Sequence, residues 1–270
     1  MTGDPLTRAV AALMRQVAAE VMLPRYRNLH AGEVSEKAPG DLVTVVDRES
    51  ERRLTEGLLA IEPGTRVIGE EAVAADPALM DGIGEGAVWI VDPLDGTSNY
   101  AAGEGAFAIM IALADAGEVR GGWILDPVTD RLCHATRGGG AFVDGERIAA
   151  RATGRRPPIG ALANQWLSAP QRARLDPVID GRFTLADVPR CAGEQYPRVG
   201  LGENDVALYW RALPWDHAPG ALWLNEAGGR LARLDGRPYL IAQDEPGLLA
   251  AATPALWDEA AGIIGPGLMA

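Results

Sequence analysis

Residues 87–100 read AVWIVDPLDGTSNY. Ala87 to Val91 form an apolar, β-type run that ends on two carboxylates, Asp92 and Asp95, followed at once by Gly96, Thr97, Ser98 and Asn99. An unbroken apolar run, as opposed to an alternating one, predicts a strand covered on both faces, which is the habit of α/β folds. In such folds the functional groups gather just beyond the strand ends. If a helix opens at Gly96 and Thr97, its free N–H groups form an anion site, and glycine lets the backbone approach an anion closely.

Two further segments bring acids to comparable places. TRVIGEE (65–71) reads as a strand ending on Glu70 and Glu71, with a solvated acidic loop running on to about Gly86. In PWDHAPGALWLNEAGG (214–229), Asp216 stands ahead of an apolar helical run that stops at Gly228-Gly229. Upstream, DLVTVVD (41–47) is a short apolar stretch that puts Asp47 where an N-cap belongs, with a helix expected from about Arg48.

Taken singly, each acid has a purely structural reading. Asp47 and Asp216 are cap residues, Asp95-Gly96 is a tight turn, and Glu70 and Glu71 end a strand in solvent. Taken together, acids without basic neighbours would repel one another on convergence, and a buried cluster of them is tolerable only around cations. An all-oxygen ligand set favours hard ions such as Mg²⁺.

The rest of the chain supplies the frame. Leu6, Val10, Leu13, Val17 and Val21 lie at helical spacing near the N-terminus, interrupted by Arg8 and Arg15, which describes an amphipathic core helix and not a signal peptide. Residues 106–148 alternate short β-type runs with turn signals, among them the hairpin signal Val143-Asp144-Gly145-Glu146. ARATGRRPPIG (150–160) is the best boundary, dividing a single catalytic unit, 1–270, into lobes 1–150 and 151–270.

The chain has 270 residues, 47% of them hydrophobic, and a formal net charge of −12, so its long-range field repels nucleic-acid polymers and anionic membranes. Cys133 and Cys191 have neither disulfide-framework nor zinc spacing, which suits a reducing cytoplasm.

Four segments in order, DLVTVVD, IGEE, WIVDPLDGTSNY and WDHAPGALWLNEAGG, resemble the motifs of the inositol monophosphatase family of Mg²⁺-dependent, lithium-sensitive phosphatases. The resemblance spans nearly the whole chain and implies a layered αβαβα sandwich, a homodimer and hydrolysis of a small phosphate monoester. Carried over residue by residue, it implies that Glu70, Asp92 and the Leu94 carbonyl hold one Mg²⁺, and that Asp92, Asp95 and Asp216 hold a second. Thr97, oriented by Asp47, would activate the attacking water beside Glu70, where a third, looser ion has a place. Gly96 and Thr97 would face the phosphate. Lys37, the one lysine of the chain, lies where the family has a mobile loop that often carries a lysine, and reads equally as an ordinary surface residue. Only three histidines are present, so a His-centred mechanism has little to draw on, and His217 reads as structural.

The substrate-sorting stretch departs from the pattern. Where inositol-phosphate members carry a small-residue segment and then a Glu seven residues before the last metal-binding Asp, this chain has Cys191-Ala192-Gly193-Glu194 and Tyr209. Glu194, Gln195, Tyr209 and Arg211 could define a different pocket, or simply pack the lobes together. LYWR (208–211) faintly resembles the L-Y-P-R of the 3′-phosphoadenosine 5′-phosphate phosphatases of the same superfamily, which makes a nucleotide-type phosphatase the alternative. Histidinol-phosphate and fructose-bisphosphate hydrolysis rank behind it, and a non-catalytic phospholigand-binding regulator is the alternative outside the class. Pro219, replacing the family's usual Ala, is expected in the first turn of its helix, where a missing N–H is harmless.

Overall fold

The computed structural model describes residues 4–38 and 41–269. The chain opens with α1 (Pro5–Val17), capped by Asp4, which accepts from the Thr7 N–H at 3.0 Å, and α1 runs on into a π-helical turn, Ala18–Met22. The hairpin β1 (Val34–Ala38) and β2 (Asp41–Thr44) leads into α2 (Val45–Ile61), and β3 (Arg66–Gly69) leads into the short α3 (Glu70–Ala75). The decisive strand is β4 (Ala87–Asp95), followed by α4 (Thr97–Ala102). A meander follows: β5 (Ala108–Asp115), β6 (Glu118–Asp126), β7 (Arg131–Thr136), β8 (Gly140–Val143) and β9 (Glu146–Ile148). The remainder comprises β10 (Ile159–Leu162), α5 (Ala169–Ile179), β11 (Thr184–Leu185), α6 (Ala192–Gly200) and β12 (Val206–Tyr209). It ends with α7 (Pro214–Glu226), β13 (Arg230–Arg233), β14 (Leu248–Ala251) and α8 (Pro254–Leu268).

Two sheets organise these elements. One runs β3-β4-β5-β6-β7-β8-β9, parallel only between β3 and β4; the other runs β11-β10-β12-β14-β13. Helices α1 and α2 cover one face of the larger sheet, α6 and α7 lie between the sheets, and α5 and α8 close the far side of the smaller one. This is the layered αβαβα arrangement expected. The unbroken apolar run follows from it: Trp89 and Val91 of β4 pack into the core with Val10, Met14 and Leu54, while Val88 and Ile90 pack with Trp215 and Ala218 on the opposite face. The hairpin signal at 143–146 is realised between β8 and β9, with positive φ at both Asp144 (51°) and Gly145 (84°).

Local boundaries differ from the sequence expectation in four places. Helix α2 is capped by Thr44, whose Oγ1 accepts from Val46 N–H at 3.0 Å, so Asp47 is inside the first turn, where its Oδ2 accepts from the Thr44 N–H at 2.9 Å. Thr44 and Asp47 form a capping box, a pattern in which the hydroxyl residue and not the later acid marks the start. Helix α7 likewise begins at Pro214, which places Asp216 within its first turn. Pro219 is in the interior of that helix, beyond the turn where its missing N–H would be free of cost. Glu70 and Glu71 open a helix, α3, instead of trailing a strand into a loop, and a 3₁₀ turn at Pro77–Met80 follows.

Helix α7 approaches the larger sheet closely because β6 offers glycine beneath it. A Cβ on Gly122 would lie 2.8 Å from the Pro219 carbonyl oxygen and 2.9 Å from its Cα, both backbone atoms that cannot swing aside. Gly122→Ala is expected to cost about 1–3 kcal/mol by overpacking, read as a drop in melting temperature of about 2–4 °C per kcal/mol. Because α7 carries Asp216, a weaker metal-induced rise in melting temperature should accompany it; a variant that melts like wild type would refute the close-packing argument.

Candidate active site

Asp92 and Asp95 are three residues apart, so on a regular strand their side chains would point to opposite faces. The ladder between β4 and β5 slips between them: Asp92 pairs with Met110 and Asp95 with Ala108, leaving Pro93 and Leu94 opposite Ile109 alone. That extra residue restores parity, and both carboxylates line the same cleft. Pro93, which has no N–H to lose from the ladder, sits within the irregularity. Asp92 Oδ1 accepts from the Leu94 N–H at 3.0 Å, which fixes the turn.

Gly96 then adopts φ +88°, and α4 starts at Thr97. A Cβ there would lie 2.7 Å from the Ala106 carbonyl oxygen, so glycine is required both by conformation and by space. Thr97 Oγ1 lies 2.9 Å from Asp47 Oδ1 and 3.0 Å from the Leu94 carbonyl, and its single proton can serve one of them at a time. Asp47 is buried, and burial pushes its carboxyl up to about 6 against the hydrogen bonds from Thr44 and Thr97.

Glu70, Asp92 and Asp216, from α3, β4 and α7, each bring a carboxylate oxygen within 4.8 Å of the others. Burial first, then repulsion from neighbouring acids, raises Asp92 and Asp216 above the usual carboxylate range. Asp95 lines the cleft but stands apart from that trio; its Oδ2 accepts from Gly193 N–H at 2.6 Å and from the Cys191 thiol at 3.1 Å. The donor set is therefore all oxygen and crowded, with Asp92 buried and the others half-buried, and the cations that approach it do not neutralise it. Lys37 Nζ sits 2.6 Å from Glu70 Oε1 and 2.8 Å from Glu71 Oε1, and Arg211 reaches Asp216 only at 3.8 Å. Such a set fits hard divalent cations, with Glu70, Asp92, Asp216, Asp95 and the Leu94 carbonyl as the available ligands.

The sorting residues divide. Tyr209 and Arg211 line the cleft, as does Gln195. Glu194 does not: α6 turns it away, where Arg131 and Arg198 bind it at 2.6 and 2.8 Å. Consecutive helical residues point about 100° apart, so a helix that aims Gln195 inward must aim Glu194 elsewhere. Lys37 is no idle surface residue, given its two acidic partners. His217 is a buried neutral residue: its Nε2–H donates to the Arg211 carbonyl at 2.9 Å, which leaves Nδ1 to accept from the Tyr196 hydroxyl at 3.0 Å. Burial pulls its pKa down to about 4.

Three contributors carried no legible sequence signal. Glu51 of α2 caps α3 with both oxygens, accepting from Glu71 and Ala72 N–H at 2.8 Å each, and so holds the element that bears Glu70. A Cβ on Gly69 would strike that carboxylate at 2.3 Å. Trp166 and Arg190 come from loops and line the cleft mouth. Only the i, i+4 spacing of Asp47 and Glu51 on α2 could have flagged the first of these.

The sequence profile of the inositol monophosphatase family matches residues 3–265. The inositol-1-monophosphatase of Bacillus subtilis is 32% identical over 215 residues, covering 76% of this chain and 77% of that protein. The Nus factor SuhB of Pseudomonas aeruginosa is 32% identical over 241 residues, covering 84% and 85%. The solved structure of a Thermotoga maritima IMPase superposes with a TM-score of 0.81 at 25% identity, covering 99% of each chain. The chain belongs to the inositol monophosphatase family. It is an enzyme, a phosphomonoesterase of the inositol monophosphatase class.

Proposed function

We propose that the chain hydrolyses a small phosphate monoester with Mg²⁺, held as two ions with room for a looser third, in one catalytic unit whose lobes 1–150 and 151–270 close around the cleft. The observation that carries the reading is the convergence of Glu70, Asp92 and Asp216, whose carboxylate oxygens lie within 4.8 Å of one another. Glu70, Asp92 and the Leu94 carbonyl are assigned to one ion, and Asp92, Asp95 and Asp216 to the other. When bound, such cations lower the pKa of a water, grip phosphate oxygens and offset charge on the departing alkoxide.

The chain's own groups orient the reaction. Thr97 Oγ1, bonded to Asp47 Oδ1, would accept a proton from the attacking water as it passes its own toward Asp47, with Glu70 assigned beside that water. Gly96 brings the backbone close to the phosphate. A protein nucleophile is not required by this arrangement.

The presence together of Glu70, Asp92, Asp95, Thr97 and Asp216 speaks against a non-catalytic regulator, which would be free to lose one of them. Lithium sensitivity and a homodimer are assigned by family likeness. A reducing cytoplasmic setting is supported by Cys133 and Cys191, both buried free thiols. No helix among the described residues is long and apolar enough to cross a membrane. The test is a phosphatase screen over sugar, inositol, nucleotide and amino-alcohol phosphates. Turnover with Mg²⁺ that disappears in EDTA and returns on adding Mg²⁺ is expected; metal-loaded protein inert to the whole panel would sink the reading.

A further inference from the structure

Asp95 is the cleft carboxylate that stands outside the Glu70, Asp92 and Asp216 trio, and α6 fixes where it stands. Helix α6 begins behind Cys191, which occupies the N-cap position without capping through its own side chain. The cap comes instead from β4: Asp95 Oδ2 accepts from the Gly193 N–H at 2.6 Å, 98 residues away in the chain. A carboxylate in that place satisfies a free N–H of the first turn and lies at the positive end of the helix dipole. Gly193 makes the approach possible, because a Cβ there would lie 2.5 Å from the Ala108 Cβ. Helix α6 is itself anchored on α7, where the Tyr196 hydroxyl donates to Nδ1 of His217, the residue after Asp216, at 3.0 Å.

The Cys191 thiol holds the same oxygen. Its Sγ is 3.1 Å from Asp95 Oδ2 and 3.7 Å from the Asp95 carbonyl oxygen, so its one proton goes to the nearer carboxylate oxygen. Cys191 is buried and lines the cleft. Two donors therefore occupy Oδ2, and Oδ1 is the oxygen left for a cation. Asp95 also repels Asp92 and Asp216, so without a restraint its side chain would swing away from them whenever the cation is absent.

We infer that Cys191 is a positioning residue for the metal-dependent reaction: its thiol, together with the first turn of α6, holds Asp95 in the orientation that receives the second ion. The Mg²⁺ requirement is then set in part by a group that is not itself a ligand. The physical basis is preorganisation, since a carboxylate already fixed by its outer oxygen loses less freedom when a cation takes the inner one. The inference rests on the metal-assisted reading of the site and adds to it the residue that readies one ligand before the ion arrives.

The test titrates Mg²⁺ into wild type, Cys191→Ala, Cys191→Ser and Arg198→Gln. It reads the rise in melting temperature and, separately, the Mg²⁺ concentration for half-maximal turnover of the phosphate ester that the screen shows to be turned over fastest. Cys191→Ala is expected to raise the half-saturating Mg²⁺ concentration about 10-fold in both readouts, the scale of removing a hydrogen-bond partner from a metal ligand. Its metal-free melting temperature should stay within about 2–4 °C of wild type. Cys191→Ser keeps a donor at the same place and is expected to recover most of the affinity, which a role in packing alone would not explain, serine being the smaller residue. Arg198→Gln loosens α6 at its last turn, where Arg198 binds Glu194 at 2.8 Å, and is expected to leave the Mg²⁺ requirement unchanged. An unchanged or lower requirement in Cys191→Ala, a serine variant as impaired as alanine, or the same rise in Arg198→Gln overturns the positioning role while leaving the metal reading intact. Wild type that shows neither a melting rise nor Mg²⁺-dependent turnover overturns the metal reading and the inference with it.

Discussion

Asp92→Asn is expected to lower kcat/KM by about 10³-fold or more, the scale of removing a preorganised charge from a reaction centre, while leaving the metal-free protein as stable as wild type or more so. The two effects have one cause. Asp92 is 2% exposed and faces Glu70, Asp95 and Asp216, so burial and repulsion both disfavour its charge when no cation is present. Asparagine keeps an oxygen to accept from the Leu94 N–H, so the turn survives while the repulsion is relieved. A rise of about 2–4 °C in the metal-free melting temperature corresponds to roughly 1 kcal/mol in a chain of this length. The rise in melting temperature on adding Mg²⁺, which reports binding to the folded state, should shrink or vanish. Activity within tenfold of wild type, or an undiminished metal-induced shift, would remove Asp92 from its assigned place between the two ions.

Thr97→Ala and Thr97→Val are expected to reduce kcat by about 10²–10⁴-fold, the usual worth of a positioned proton-transfer group, with KM little changed. Thr97 is placed by two independent features: the left-handed Gly96 that turns the chain out of β4, and the Asp47 carboxylate 2.9 Å from its hydroxyl. Asp47 is in turn held by the capping box at the head of α2, so the hydroxyl is aimed from a rigid helix end and not from a mobile loop. Thr97→Ser keeps the hydroxyl and is expected to retain activity within about tenfold, the conservative exchange expected to spare a proton-transfer role. Full activity in Val with losses in Ser and Ala would mean that the methyl packing, and not the hydroxyl, matters; a rise in KM alone would point to phosphate binding instead.

Much of this site is local in origin and therefore legible in the chain. The apolar stretch 87–91, the turn signal at Asp95-Gly96 and the hairpin at 143–146 each depend on neighbours within a few residues, and the sheet forms where they place it. The boundaries read less well where two start signals compete. Asp47 and Asp216 are acids near a helix start, but Thr44 and Pro214 begin the helices, because a side-chain cap or a proline at the first position satisfies the helix end earlier in the chain. Pro219 follows the same register, since a helix that starts at Pro214 carries the proline into its interior.

By itself, then, the sequence determined the chemistry: acids at strand and helix ends in a fixed order, the glycine and hydroxyl that follow them, and through these the family. The tertiary structure decided which of those groups meet. Glu70, Asp92 and Asp216 lie far apart along the chain, and no spacing rule brings their oxygens within 4.8 Å. A bulge, and not the strand period, put Asp92 and Asp95 on one face. The rotation of α6 turned Gln195 into the cleft and Glu194 out to Arg131 and Arg198. Loops contributed Trp166 and Arg190, for which local sequence carries no period at all. The physical reason is common to all four: local propensity acts over a turn or a strand pair, whereas a binding wall is made by packing, which alone fixes the distance and direction of side chains from separate elements.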